Sequence, residues 1–418
     1  MAKILLLLNN LNFTQMSEKR NNLLSSCALV MLLISSAGYS QNSKIKFGKG
    51  LYVMAKDSSM DMKFSMRFQT LFEGAQTLSE GKLADDFESN LLIRRARLKF
   101  DGYVLSPRVA YKVELGLSNR DIGLGKSGSE NTHFNAASNI ILDAVLKWNF
   151  AKNTELWIGQ TKLPSNRERV ISSQQLQLVD RSIVNNRFNL DRDVGIQLRH
   201  GFSLGKAKFQ EALAVSMGEG RNITSSNDDG FSYVGRIEFL PMGSFTDKGD
   251  YFGADLAREP QPKLSIGVNY EFNDDAKRSG GQLGSFMAES RDLKSLHADL
   301  MFKWKGFSFM SEYCERSTDD PLVSYDSLTN KYSAFYTGNG VNVQAGYLLK
   351  NNLEFSARYS TTTPAANIGQ VKENQYTLGV SKYIVGHNLK IQSDFSLLEQ
   401  ENSDDLGLMF RFQVEMAL

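Results

Sequence analysis

Beyond its first forty residues the chain contains no run of about 20 apolar residues, so no part of it there can cross a bilayer as a helix. Cysteine is almost absent, with only Cys27 and Cys314 present. Cys27 falls in the N-terminal apolar stretch, which leaves Cys314 alone and excludes an intramolecular disulfide or a metal site built on paired cysteines. Leu24-Ser25-Ser26-Cys27 has the outline of a lipoprotein box, but the main apolar run follows the cysteine instead of preceding it, which argues against lipidation. A surplus of one charge is missing too. The formal charge of +2 falls to zero once Lys3, Glu18, Lys19 and Arg20 leave with the first forty residues, so no nucleic-acid partner is expected. The four histidines, His133, His200, His297 and His387, have no obvious serine or aspartate company. A positioned nucleophile and base are therefore not in view, and neither an enzyme nor a cofactor or metal is expected.

The N-terminus reads as a secretory signal. Lys19 and Arg20 precede the apolar stretch from Leu23 to Ile34, and the small residues Ser35 to Ser40 follow, which places a signal peptide in residues 1–40 with cleavage near Ser40. Met16 is a more natural start than Met1. Residues 41–60 are expected to form a short periplasmic segment, and residues 61–418 the folded body.

Within that body the dominant signal is alternation. From Met62 to Phe72 one face carries Met62, Phe64, Met66, Phe68 and Phe72, while Lys63, Ser65, Arg67 and Gln69 fall between them. Ala96, Leu98 and Phe100 alternate in the same way with Arg95, Arg97, Lys99 and Asp101. Charges at mid-strand fit an aqueous lumen, and the fold class expected is an all-β, antiparallel transmembrane β-barrel of about sixteen strands. The first eight strands are placed near 62–73, 91–103, 107–118, 140–150, 154–163, 193–203, 206–217 and 231–240. The rest fall near 262–273, 293–304, 306–316, 333–349, 352–361, 374–384, 388–399 and 405–418. Connections after odd strands are mostly long and those after even strands short, which puts the long loops outside and the turns in the periplasm. The stretch 241–261 is too long for its place and reads as a long turn or a miscounted strand.

Three features orient the barrel. Trp148, Trp157 and Trp304 lie close to short turns, with Phe150, Phe202, Phe239, Phe307 and Tyr347 nearby, as in an aromatic belt. Five Asp-Asp pairs, at 85–86, 228–229, 274–275, 319–320 and 404–405, lie in or beside outer loops, where solvated charge or cation bridging to lipopolysaccharide would place them. The last strand carries its apolar face to Leu418, and closure against the first strand would leave no open edge in lipid.

Ile93-Arg94-Arg95-Ala96-Arg97-Leu98-Lys99-Phe100-Asp101-Gly102, Trp157-Ile158-Gly159-Gln160-Thr161-Lys162-Leu163-Pro164 and Arg192-Asp193-Val194-Gly195 resemble the phosphate-selective porin O/P family. The resemblance runs from about residue 60 to the final Arg411-Phe412-Gln413-Val414. It implies a sixteen-stranded outer-membrane channel, usually a homotrimer, whose third loop, here 164–192, folds inward to narrow the pore. In the family a basic residue three positions before a Ser-Ser pair, and an arginine eight after it, line an anion site; this chain shows that spacing in Arg169, Ser172, Ser173 and Arg181, with Arg169 where the family has a lysine.

The charges agree with that implication. Arg67 lies on the polar face of the first strand, and Arg95, Arg97, Lys99, Arg108 and Lys112 cluster on those of the next two, with only Asp101 and Glu114 nearby. The third loop adds Arg167, Arg169, Arg181, Arg187 and Arg192. Arginine forks suit oxyanions, and hydroxyls beside them replace hydration without holding the ion too tightly. The expected function is passive passage of small hydrophilic solutes with a preference for anions, phosphate, sulfate and pyrophosphate among them. A non-selective diffusion porin is the alternative, and a barrel serving as surface adhesin or structural anchor a more distant one.

Overall fold

A computed structural model describes residues 47–122, 139–223, 230–326 and 331–418. The expected signal peptide, its cleavage site and Met16, and with them His133 and the pair Asp228-Asp229, lie outside the described residues. The body is one closed antiparallel barrel of sixteen strands. They are β1 (Met60–Ser79), β2 (Glu88–Val104), β3 (Ser106–Gly116), β4 (Ile141–Ala151) and β5 (Thr154–Lys162). After the third loop come β6 (Arg192–Leu204), β7 (Ala207–Ser216), β8 (Ser232–Leu240), β9 (Lys263–Arg278), β10 (Phe286–Trp304) and β11 (Phe307–Ser317). β12 (Gly338–Leu348), β13 (Leu353–Pro364), β14 (Glu373–Tyr383), β15 (Leu389–Gln400) and β16 (Leu406–Ala417) complete the wall. β16 returns to β1 in register from Arg67 opposite Ala417 to Leu78 opposite Leu406.

The wall reverses the burial pattern of a soluble protein. On β9 the buried side chains are Ser265, Asn269 and Glu271, whereas Ile266, Val268 and Tyr270 are exposed. Leu213, Ile237, Leu378 and Phe395 continue the exposed apolar set on other strands. A band of this kind far exceeds the few hundred square ångströms that a soluble surface tolerates, so its solvent is hydrocarbon. At the periplasmic border Phe202, Phe209 and Phe239 stack across β6, β7 and β8 with centroids 4.9 and 4.8 Å apart, beside exposed Trp148 and Trp304.

The structure corrects three expectations and decides between the two readings of a fourth, the stretch 241–261. β1, β9 and β10 run to 20, 16 and 19 residues, so loops expected at 74–90 and 274–292 shrink to 80–87 and 279–285. The strand expected at 333–349 begins only at Gly338; Lys331–Ala334 pairs instead with Leu322–Asp326 in a hairpin belonging to the sixth loop. Residues 241–262 are a long periplasmic connection, not a missed strand, and carry a 3-10 turn over Thr246–Tyr251. Finally, Trp157 leaves the aromatic belt. It shares a face with Glu155 and Thr161, which point to the lumen, while its neighbour Ile158 is exposed.

Within the expected periplasmic segment, Leu51–Met54 forms a short strand on β1, pairing with Asp61 to Phe64. The N-terminal end of β1 thereby gains a partner below the point where β16 stops.

Candidate functional site

The third loop enters the barrel and is fastened to one side of it. It holds two short helices, α1 (Arg167–Val170) and α2 (Ile183–Phe188). The Ser182 hydroxyl caps α2 by accepting the Asn185 N–H at 3.0 Å. Arg167 is wholly buried against β8, β9 and β10, where its guanidinium meets Asp299 at 3.0 Å, Glu238 at 3.2 Å and the Ser265 hydroxyl at 2.9 Å. Gln177 donates to Glu354 at 2.6 Å and to Ser308 at 2.8 Å. The Val179 N–H reaches Asp394 at 3.1 Å, and Arg358 donates to the Asp180 carbonyl at 2.8 Å. Buried charges survive only when paired and hydrogen-bonded, and here loop and wall satisfy one another.

Because the loop packs on β8 to β15, the open lumen is pushed against β2 to β7. The cavity there has a volume of about 1180 Å³ and is lined by fifteen lysines and arginines against eight carboxylates. On the wall side, Arg97 grips Asp121 at 2.6 and 2.8 Å and Glu114 at 3.0 Å. Lys112 pairs with Glu114 and Asp143, both at 2.8 Å, and Arg192 with Asp143 at 3.2 Å. This wall is therefore more nearly neutral than expected, because Asp121 and Asp143, distant in sequence, fold against it. The surplus lies elsewhere. Lys147 and Arg199 make no carboxylate ion pair among the described residues; both rest on Trp157, 3.7 and 4.2 Å from its ring, a contact worth roughly 0.5–2 kcal/mol each.

Facing that wall, the loop presents Arg169, Arg181, Ser172 and Ser173 to the channel. Arg169 pairs with Asp191. Arg181 donates to the carbonyls of Glu168 at 2.9 Å and Ile171 at 2.7 Å, and Lys162 donates to those of Arg169, Val170 and Ile171. The Ser173 hydroxyl accepts from Arg67 at 2.6 Å, and that of Ser172 from the Gln174 N–H at 3.4 Å. Burial, and after it the guanidiniums of Arg181, Arg192, Arg97 and Arg221, pull the Arg169 pKa well below the arginine range. Burial brings Arg181 down to about 10 against the pull of Glu168 and Asp180, with Arg97 and Arg192 adding to the drop. Arg221, in the fourth loop, sits at about 10 through burial and the nearby Arg192. Arginine keeps its proton in proteins, so these shifts register first the burial of the guanidinium groups and then their mutual repulsion, both of which an anion in the channel would offset.

The structure thus brings Arg95, Arg97, Lys112, Arg169, Ser172, Ser173 and Arg181 to one channel. It places the other expected residues apart. Arg67 bridges Glu415 and Ser173 behind the loop; Arg167 is locked among carboxylates; Arg187 lies by Glu373 and the Tyr336 ring. Lys99 pairs with Asp101, and Arg108 is exposed near the β2–β3 turn. Arg94, Arg120, Lys162 and Arg221 line the channel without having been singled out from sequence. For Arg94 the reason is a β-bulge: Gln69 faces Arg95 while Thr70 faces Ile93, so Arg94 is the extra residue. Both consecutive arginines consequently reach Asp180, Arg94 at 2.7 Å and Arg95 at 3.3 Å.

A sixteen-stranded barrel narrowed from within by its third loop matches, over residues 64–408, the family model for phosphate-selective porin O and P. The chain belongs to this family. The porin's wall, polar inside and apolar outside, accordingly lies in the bacterial outer membrane. An uncharacterized protein of Aquifex aeolicus (strain VF5) is 24% identical over 291 residues, 63% of this chain and 64% of that protein's length. Among solved structures, OmpT of Vibrio cholerae (trimer form) matches with TM-score 0.52 and 11% identity over 86% of this chain and 100% of its own. The outer-membrane channel DcaP of Acinetobacter baumannii matches with TM-score 0.50 and 13% identity over 88% and 99%. At such identity these two structures speak for the fold.

Proposed function

We propose that the porin is a passive channel for small hydrophilic solutes that prefers anions, with Arg169, Ser172, Ser173 and Arg181 forming the narrow site opposite Arg97 and Arg192. The observation that carries this reading is the surplus of cations facing one off-centre channel, concentrated where, among the described residues, Arg169 and Arg181 find backbone carbonyls and the Asp191 carboxylate. Guanidinium groups and two hydroxyls can stand in for an oxyanion's water, and the interleaved carboxylates keep the attraction weak enough for release. Phosphate, sulfate and pyrophosphate fit this chemistry, and Arg167 and Arg187 serve it only by holding the loop. A homotrimer in outer-membrane lipid and lipopolysaccharide is the assembly we infer, supported by the family and by the trimer form of OmpT.

A planar-bilayer experiment tests the proposal. The reversal potential across a KCl gradient is expected to show chloride preference, and added phosphate or sulfate to reduce the current. Arg169→Ala and Arg181→Ala are each expected to weaken that block by about 5- to 50-fold, the loss of one charge-assisted contact of ~1–2.3 kcal/mol. Conductance with neither preference nor block would leave a non-selective diffusion porin, the reading that the paired wall of Arg97, Lys112 and Arg192 favours.

A further inference from the structure

The connection between β8 and β9, residues 241–262, turns into the lumen instead of lying across the rim. Its base is fixed to the wall. The Glu259 carbonyl accepts from the Lys305 N–H at 2.9 Å, Asp255 from the Gly306 N–H at 2.7 Å, and Lys303 donates to the Ala254 carbonyl at 2.6 Å. Its inner side meets the third loop. The Gly253 N–H donates to the Gln175 carbonyl at 2.8 Å, and Phe245 packs in one buried cluster with Ile171 and Leu176. Tyr251 donates to Glu238 at 2.7 Å, the carboxylate that also holds Arg167. The approach is close enough to demand glycine, since a Cβ on residue 253 would lie 2.7 Å from the Gln177 nitrogen.

Two consecutive non-glycine residues in this connection, Asp247 at φ 52° and Lys248 at φ 58°, take the left-handed backbone. That conformation is strained for any residue with a Cβ and persists where the surroundings over-determine it. Its effect is to set exposed Lys248 at the edge of the channel, beside Tyr251 and Phe245.

We propose that residues 241–262 form an inner collar, the second half of the constriction: it pins the third loop from the periplasmic side, and Lys248 sets the charge of the inner mouth for small anions. The inference rests on the chain being a conducting channel, and its test reads out apart from anion preference. The full barrel carrying Lys248→Cys is placed in a planar bilayer and treated from the periplasmic chamber with a negatively charged methanethiosulfonate; Cys314 is wholly buried and gives a silent background. Modification is expected to lower single-channel conductance at low salt by about twofold, as a reversed charge at a pore mouth does. Gly253→Val, which wedges the collar from the loop, is expected to raise conductance by at least about 1.5-fold. Should Gly253→Val not fold, as shown by loss of heat-modifiable mobility, Lys248→Cys decides alone. A cysteine at 248 that resists labelling, or a labelled channel conducting as before, overturns the proposal. Wild-type barrels without conductance would overturn it together with the channel reading, whereas conductance without anion preference would leave the collar standing.

Discussion

Arginines only two positions apart do opposite work in this porin. Arg167 is enclosed by Glu238, Asp299 and Asp250, whereas Arg169 reaches the channel with Asp191 as its one carboxylate within ion-pair range among the described residues. Arg167→Met would take Asp250's ion partner away and leave buried Glu238 and Asp299 to share Arg236 alone, so unfolding in detergent is expected at lower denaturant, with a loss of ~3 kcal/mol. Arg169→Ala should cost far less, and equal destabilisation by the two substitutions would refute the division. Spacing singled out Arg169, but the sequence grouped Arg167 with it at the constriction, because the turn of Arg167 to the wall depends on Asp299 and Glu238, more than sixty positions away. Trp157 is a second case. Its proximity to a turn suggested the lipid boundary, while the decisive signal was its phase, shared with Glu155 and Thr161 and opposed to Ile158. Arg94 is a third, since strict alternation cannot register the bulge that turns two successive arginines onto Asp180.

Among the elements, the strands were the most legible part, since alternation within each strand is a local property and all sixteen occur where it appears. The third loop was legible as an arginine-rich insertion but not in its attachment, which uses wall residues from β8 to β15 and, through Arg67, Arg94 and Arg95, of β1 and β2 as well. Asp180 shows how firm that attachment is. Burial works to raise its pKa, but Arg94, Arg95 and Arg411 outweigh burial and hold it well below the usual carboxylate range. A folded pKa beneath the unfolded value gives stability that is full above the unfolded value and is lost as pH falls through the folded one. The loop should therefore stay docked in acid, with quiet single-channel current down to about pH 4. Asp180→Asn removes this contribution, and its thermal unfolding temperature is expected to fall at neutral pH and converge with that of the wild type in strong acid. Parallel pH profiles for the two proteins would refute the role given to Asp180. The collar at 241–262 was legible only as an anomaly of length, because an irregular segment carries no periodicity to read.

At the scale of the whole molecule, a chain whose residues 41–418 carry no formal net charge nevertheless encloses a cationic channel. Lysines and arginines outnumber carboxylates around the open lumen, an arrangement that composition could not reveal. Such a field is screened over ~10 Å at about 0.1 M salt and ~3 Å at about 1 M, so chloride preference should shrink as KCl is raised over that range. Reversal potentials measured at a fixed gradient but rising mean concentration would check this, and a preference unchanged at 1 M would point to short-range contacts alone. The junction of β16 with β1 has a consequence of another kind. Glu415 meets Arg67 across a separation of 348 residues, so the first strand must wait, one edge unsatisfied, until the last segment of the chain is delivered. Assembly is thus governed by the final dozen residues: a chain ending short of them would carry every other strand and still have no seam to shut, which makes the C-terminal strand the point at which the insertion of a complete barrel is decided.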